Sequence, residues 1–131
     1  MKDCYHAIEG KPAGLLVVAE GYATGASIHE ATGWPVAVSF NAGNFGPVAV
    51  ALHKAYPALM LVMAADDDHQ TPGNPGMTAA KQAALAVGGF VVPPRFPAGR
   101  PPKATDLNDL AALAGLGAVR ACFLEIEVLS C

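Results

Sequence analysis

Leu59–Ala65 reads LMLVMAA and runs directly into Asp66, Asp67 and Asp68. A short, continuous apolar run of this kind suits a strand buried on both faces, and the abrupt change to acids marks the end of that strand. The same pattern stands upstream, where Leu15–Ala19 (LLVVA) ends at Glu20 and Gly21. Val36–Phe40 (VAVSF) reads as a strand between these two, and Phe90–Val92 as a short fourth.

Helical segments separate the strands. Ala23–Ala31 has helical composition and stops at Gly33. Phe45–Tyr56 sets Val48, Leu52 and Ala55 at helical spacing and ends before Pro57. Met77–Val87 is rich in alanine and closes at Gly88-Gly89. The polar stretch Asp66–Pro75 reads as a loop. So does Pro93–Lys103, whose five prolines exclude a helix or a central strand. A last helix is expected from about Asp106. Leu116–Arg120 either extends it or begins another, and the tail CFLEIEVLSC reads equally as helix or strand. Strand–helix alternation at this spacing predicts an α/β sandwich around a mostly parallel sheet of about four strands.

The composition is consistent with one such domain. The chain has 131 residues, 53% apolar, with 26 Ala and 14 Gly for close helix-on-sheet packing. Charged residues make up 15%, and the mean hydropathy is +0.35, which excludes a disordered chain. No apolar run reaches the roughly 20 residues of a membrane-spanning helix. Cys4, Cys122 and Cys131 are few and far apart, with no CxxC or Cys/His spacing for zinc and no disulfide framework. No apolar signal core opens the chain, so a cytoplasmic setting is expected. The net charge of −3 leaves no general field for gripping nucleic acid, and any such grip needs a local patch or another chain.

In an open parallel α/β sheet, ligands bind beyond the carboxyl ends of the strands where the strand order reverses. If the strands ending in Glu20 and Asp66 are neighbours, their carboxylates converge on one crevice. Converging carboxylates repel until one takes a proton or a cation joins them. An oxygen-only donor set favours Mg²⁺ or Mn²⁺ over zinc. The Asp66-x-Asp68 spacing lets two carboxylates face one ion, with Asp67 turned elsewhere.

These residues carry a resemblance. The Glu20-Gly21 pair, the Asp66/Asp68 motif, Asn74-Pro75-Gly76 before the next helix and the late Asp106, Asn108 and Asp109 together resemble the Toprim domain of primases. The similarity is strongest to primases and primase–helicases of plasmids, phages and other mobile elements, and it covers about residues 4–120. It implies a Rossmann-like three-layer sandwich, residues 1–131 forming a single domain with a core of about 13–120, and a piece of a longer primase. It also implies a nucleotidyltransferase that makes RNA primers on a DNA template in replication. In that role Glu20, Asp66 and Asp68 are catalytic. Glu20, Asp66, Asp68 and Asp106 hold Mg²⁺ or Mn²⁺, and Gly21, Asn108 and Asp109 contact nucleotide. Ribonucleoside triphosphates and a DNA template are the implied partners, with flanking zinc-binding or helicase regions, or a separate helicase. This sequence departs from many members of the family, with Thr24 in place of an Asp, Asp67 in place of a Gly and Thr105 in place of a Lys.

Other residues stay open on the sequence. Lys81, Arg95, Arg100 and Lys103 suit contacts to template or triphosphate, or equally solvated positions. His69 reads as a hydrated loop residue or a metal auxiliary, Trp34 as packing at the sheet edge or a base-stacking ring, and Asn41 and Asn44 as turn residues or substrate contacts. His6, His29 and His53 read as surface or core-edge residues. Two further functions use the same residues: a non-catalytic Toprim module for docking, and nuclease-type phosphodiester chemistry. A receiver-type phosphoacceptor lacks its paired acid after the first strand.

Overall fold

The computed structural model describes residues 5–10 and 14–129, and Cys4 and Cys131 fall outside that range. Among the described residues its central sheet has five strands in the order β1-β3-β2-β4-β5. The parallel core consists of β2 (Leu15–Ala19), β3 (Val36–Val38), β4 (Met60–Ala64) and β5 (Phe90–Val92). All five residues of β2 are buried, as expected of a central strand covered on both faces. In register, Val17 pairs with Val62 of β4, and Ala19 with Val38 of β3.

The fifth strand corrects the expected count. β1 (His6–Ile8) pairs antiparallel with β3, setting His6 opposite Val38. Three residues, two of them exposed, carry too little pattern to be read from sequence alone. The edge strand therefore begins ahead of the core start expected near residue 13.

Six helices complete the domain among the described residues: α1 (Tyr22–Thr32), α2 (Ala42–Ala55), α3 (Pro75–Val87), α4 (Leu107–Ala114), α5 (Leu116–Cys122) and α6 (Leu124–Leu129). On one face, Ile28 of α1 packs with Leu107, Leu110, Val119 and Phe123 against Val17, Val36 and Val62. On the other, Phe45, Val48 and Leu52 of α2 meet Ala80 and Ala83 of α3 over Val18, Ala37 and Met63. Trp34 packs edge-on to Phe123, with centroids 5.9 Å apart, and is buried as expected. Gly115, at φ 86°, separates α4 from α5, and Leu124–Leu129 of the tail forms helix α6.

Two boundaries moved for local reasons. α2 starts at Ala42 rather than Phe45, because the Asn41 side chain accepts the Asn44 N–H at 2.8 Å and caps the helix. β3 stops at Val38, and Phe40 turns the chain at φ 71°. After β2 the chain crosses to β3 on one side through α1, and β4 lies on the other side. The carboxyl end of β2 is therefore the switch point.

Candidate carboxylate site at the switch point

Glu20 and Asp66 are brought together because β2 and β4 are adjacent, parallel and in register. Their carboxyl groups come within hydrogen-bonding reach, an arrangement that favours a proton on one of them. Burial, the Glu20 charge and that contact, with smaller pushes from Asp106 and Asp68, raise Asp66 from 3.8 to about 8. Asp66 therefore carries the proton at neutral pH, in the manner of two carboxylates forced into one site.

Asp106 joins from the other layer as the N-cap of α4. Its Oδ1 accepts the Asp109 N–H at 2.8 Å, and Asp109 Oδ2 accepts the Asp106 and Thr105 N–H groups at 3.2 and 2.9 Å. This capping box gives Asp109 a structural task at the helix start. Burial and the nearby Asp109 charge raise the Asp106 carboxyl, while hydrogen bonds from the Asp109 N–H and the Thr24 hydroxyl oppose the rise. Thr24 is 3% exposed on α1 and supplies a hydroxyl donor to Asp106. Asn108 serves the fold as well: its Oδ1 accepts the Ser27 hydroxyl at 2.9 Å, tying α4 to α1.

Asp68 is fixed by the start of α3. Its Oδ2 accepts the Gly76 N–H at 2.7 Å, and its own N–H donates to Asn74 Oδ1 at 2.8 Å. Asn74, at φ 42°, also caps α3 and donates Nδ2–H to Asp67 Oδ1 at 2.6 Å. Sequence reasoning noticed Asn74-Pro75-Gly76 as a motif but gave none of the three a role. The signal was an N-cap Asn followed by Pro at the first helical position.

Asp67 does not add free negative charge, because Asn74 and Arg100 hold its carboxylate. Arg100 Nη1 reaches Asp67 Oδ2 at 2.8 Å, Nη2 reaches the Asp67 carbonyl at 2.9 Å, and Nε reaches the Ala104 carbonyl at 2.9 Å. Burial alone would raise Asp67; the Arg100 and Asn74 hydrogen bonds and the Arg100 charge outweigh it and hold the carboxyl below its ordinary value. The Arg100 guanidinium also lies 4.2 Å from the Phe96 ring centroid. Arg100 thus straps the proline-rich loop onto the acidic loop.

The remaining expected contacts are dispersed. Arg95 stands 3.9 Å from Glu125 in an exposed pair away from the carboxylates. Lys81 and Lys103 are exposed, with no carboxylate at ion-pair distance among the described residues. His69 is exposed, beside Gln70. Asn44 is buried and donates to the Ser39 carbonyl at 3.2 Å, a turn role. Gly21 borders the site, and a Cβ placed there would meet nothing within 4 Å.

Among the described residues, no three His, Cys, Asp or Glu side chains are arranged to hold one ion. The Glu20–Asp66 pair nevertheless fits a hard divalent cation. Mg²⁺ is commonly held by one or two carboxylates, with water and substrate oxygens completing its shell. A cation in place of the shared proton would remove the repulsion that raises Asp66.

A family model for the Toprim domain matches residues 15–116. The chain belongs to the Toprim domain family. A protein named DNA primase TraC from Escherichia coli is 44% identical over 106 residues, covering 75% of this chain and 10% of that primase. A second Escherichia coli DNA primase TraC is 40% identical over 120 residues, covering 86% of this chain and 8% of its own length. The chain thus spans about a tenth of the length of these relatives. No solved structure matches it. The sheet order and the carboxylates at its switch point are consistent with the Toprim fold. No described helix is long and apolar enough to cross a membrane.

Proposed function

We propose that this Toprim domain is the catalytic part of a primase that joins ribonucleotides on a DNA template with Mg²⁺ or Mn²⁺. The observation that carries the reading is the Glu20–Asp66 pair at the switch point, with Asp66 raised to about 8 and Asp106 facing it from α4. The identity to proteins named DNA primase supports the same reading.

In this mechanism Asp66 holds the cation, and Asp68 and Asp106 add negative charge around it. A cation bound there would supply the charge that acidifies a primer 3′-hydroxyl and neutralises the incoming triphosphate. Glu20, at the carboxyl end of the central strand, either helps to hold the cation or accepts the hydroxyl proton at its carboxylate. Asp67 and Arg100 hold the loop rigid behind Asp66, and the capping box keeps Asp106 facing the pair. Most of the acceleration comes from positioning and charge neutralisation.

Incorporation of labelled ribonucleotide on single-stranded DNA tests the reading, with the wild-type chain joined to its natural flanking regions. Glu20→Gln and Asp66→Asn are expected to lower the rate by at least about 100-fold, the scale of general acid–base and electrostatic contributions. Unchanged synthesis by both variants would overturn it. The lack of a three-acid cluster among the described residues favours a second reading, a docking module without catalysis. That reading predicts no Mg²⁺ binding linked to Asp66.

A further inference from the structure

Three aromatic rings gather on the surface beside the carboxylate site. Tyr22 opens α1, two residues beyond Glu20, and is 55% exposed. Phe40 follows β3 and is 59% exposed. His6 of the edge strand β1 sits between them, its ring centroid 5.6 Å from Tyr22 and 6.5 Å from Phe40, at interplanar angles of 55° and 52°. The register explains the meeting. His6 pairs with Val38, Val38 pairs with Ala19, and the Ser39 N–H bonds the Ala19 carbonyl at 2.9 Å. All three rings therefore lie at the end of the sheet that carries Glu20.

Phe40 is the informative member. At φ 71° it occupies the left-handed region, which a bulky side chain rarely adopts and glycine adopts freely. Its neighbours fix the turn: Asn41 caps α2, Asn44 donates to the Ser39 carbonyl, and the Ser39 hydroxyl donates to the Asn41 carbonyl at 3.3 Å. A glycine would fit that turn without strain, and an exposed phenylalanine gains little from packing. Backbone strain maintained to hold an exposed ring points to a use for the ring.

We propose that Tyr22, His6 and Phe40 form a stacking platform for unpaired bases of a single nucleic-acid strand passing the carboxylate site. Stacking on aromatic rings is indifferent to sequence, because every base presents a π-face. Three rings in succession suit successive bases of a strand better than the single base of a free nucleotide. The proposal deepens the primase reading by naming how the template is held, and it rests on that reading.

The test is an NMR titration of the full chain with oligodeoxythymidylate, with a duplex of the same length and with ATP alone. Ring resonances of Tyr22, His6 and Phe40 are expected to shift with the single strand and far less with duplex or ATP. Phe40→Gly is expected to weaken strand binding about 5-fold, the lower end of base–aromatic stacking, while raising the unfolding midpoint by relieving the turn. Phe40→Leu, which keeps an apolar side chain without the ring, is expected to lose the same affinity. The platform is overturned by rings unmoved at millimolar strand, by equal shifts with duplex or ATP, by undiminished binding in both variants, or by shifts that follow protein concentration alone, the mark of a second copy. Mg²⁺ binding by the wild-type chain is measured separately. Its absence would remove the metal reading and leave the platform standing, and its presence with unmoved rings would do the reverse.

Discussion

Arg100 and Asp67 form a salt bridge of 2.8 Å whose side chains are only 18% and 26% exposed, and the same guanidinium bonds the backbone at Asp67 and Ala104. One side chain therefore joins the loop after β4 to the proline-rich loop before α4. Asp66 lies in the first of these loops, and Asp106 caps α4 just beyond the second. Arg100→Ala is expected to destabilise the domain by about 2 kcal/mol, below the range for a fully buried broken pair because both partners keep some water. Arg100→Lys recovers little, because a point charge cannot reproduce the fork. A double-mutant cycle with Asp67→Gly, read by urea unfolding, is expected to show coupling of about 1 kcal/mol or more. Additive costs would contradict the strap.

Gly76 and Gly21 border the same site and are expected to respond oppositely. A Cβ at Gly76 would stand 2.6 Å from the Asp66 carbonyl and 2.8 Å from Asp68 Oδ2, whereas one at Gly21 meets open space. Gly76→Ala is expected to cost about 2 kcal/mol by forcing α3 off the acidic loop. Gly21→Ala is expected to stay within about 0.5 kcal/mol of wild type. Thermal unfolding of the two variants checks the contrast.

Stability is expected to fall as the pH rises in the presence of a chelator. Asp66 titrates at about 8 in the fold and at 3.8 as an ordinary Asp, so between these values the folded state holds a proton that the unfolded chain has lost. The contribution is complete below about 4 and is lost as the pH rises through about 8. Asp66→Asn weakens the dependence, leaving the smaller part that the raised Asp106 supplies, and urea midpoints at several pH values measure the difference. A midpoint that rises over this window in both proteins would contradict the shared proton.

Thr24→Val keeps the buried shape and removes the hydroxyl that favours ionised Asp106. The Asp106 carboxyl is expected to titrate higher in the variant, as followed by carboxyl carbon NMR, with the fold retained. An unchanged titration would mean that the hydroxyl plays no part.

Much of the site was legible because it depends on strand ends. Apolar runs closing on Glu20 and on Asp66 placed both acids at one edge, and the neighbouring parallel pairing of β2 and β4 brought them together. What was not legible depended on contacts across long separations. Arg100 reaches Asp67 over 33 positions and Ser27 reaches Asn108 over 81, and neither leaves a local pattern. The edge strand His6–Ile8 was missed because three residues show no readable alternation, and with it the aromatic cluster around His6. Asn74 carried a local signal, an N-cap before proline, whose long reach to Asp67 and Asp68 only the fold reveals.

Mg²⁺ titration of the wild-type chain, followed at the Asp66 carboxyl carbon near neutral pH, tests the central claim most directly. The account predicts saturable binding that releases the proton shared by Glu20 and Asp66, tightens as the pH rises toward about 8, and weakens at least about 10-fold in Asp66→Asn, since metal affinity depends on deprotonated ligands. An Asp66 signal unmoved at millimolar Mg²⁺, or equal binding by Asp66→Asn, would contradict it.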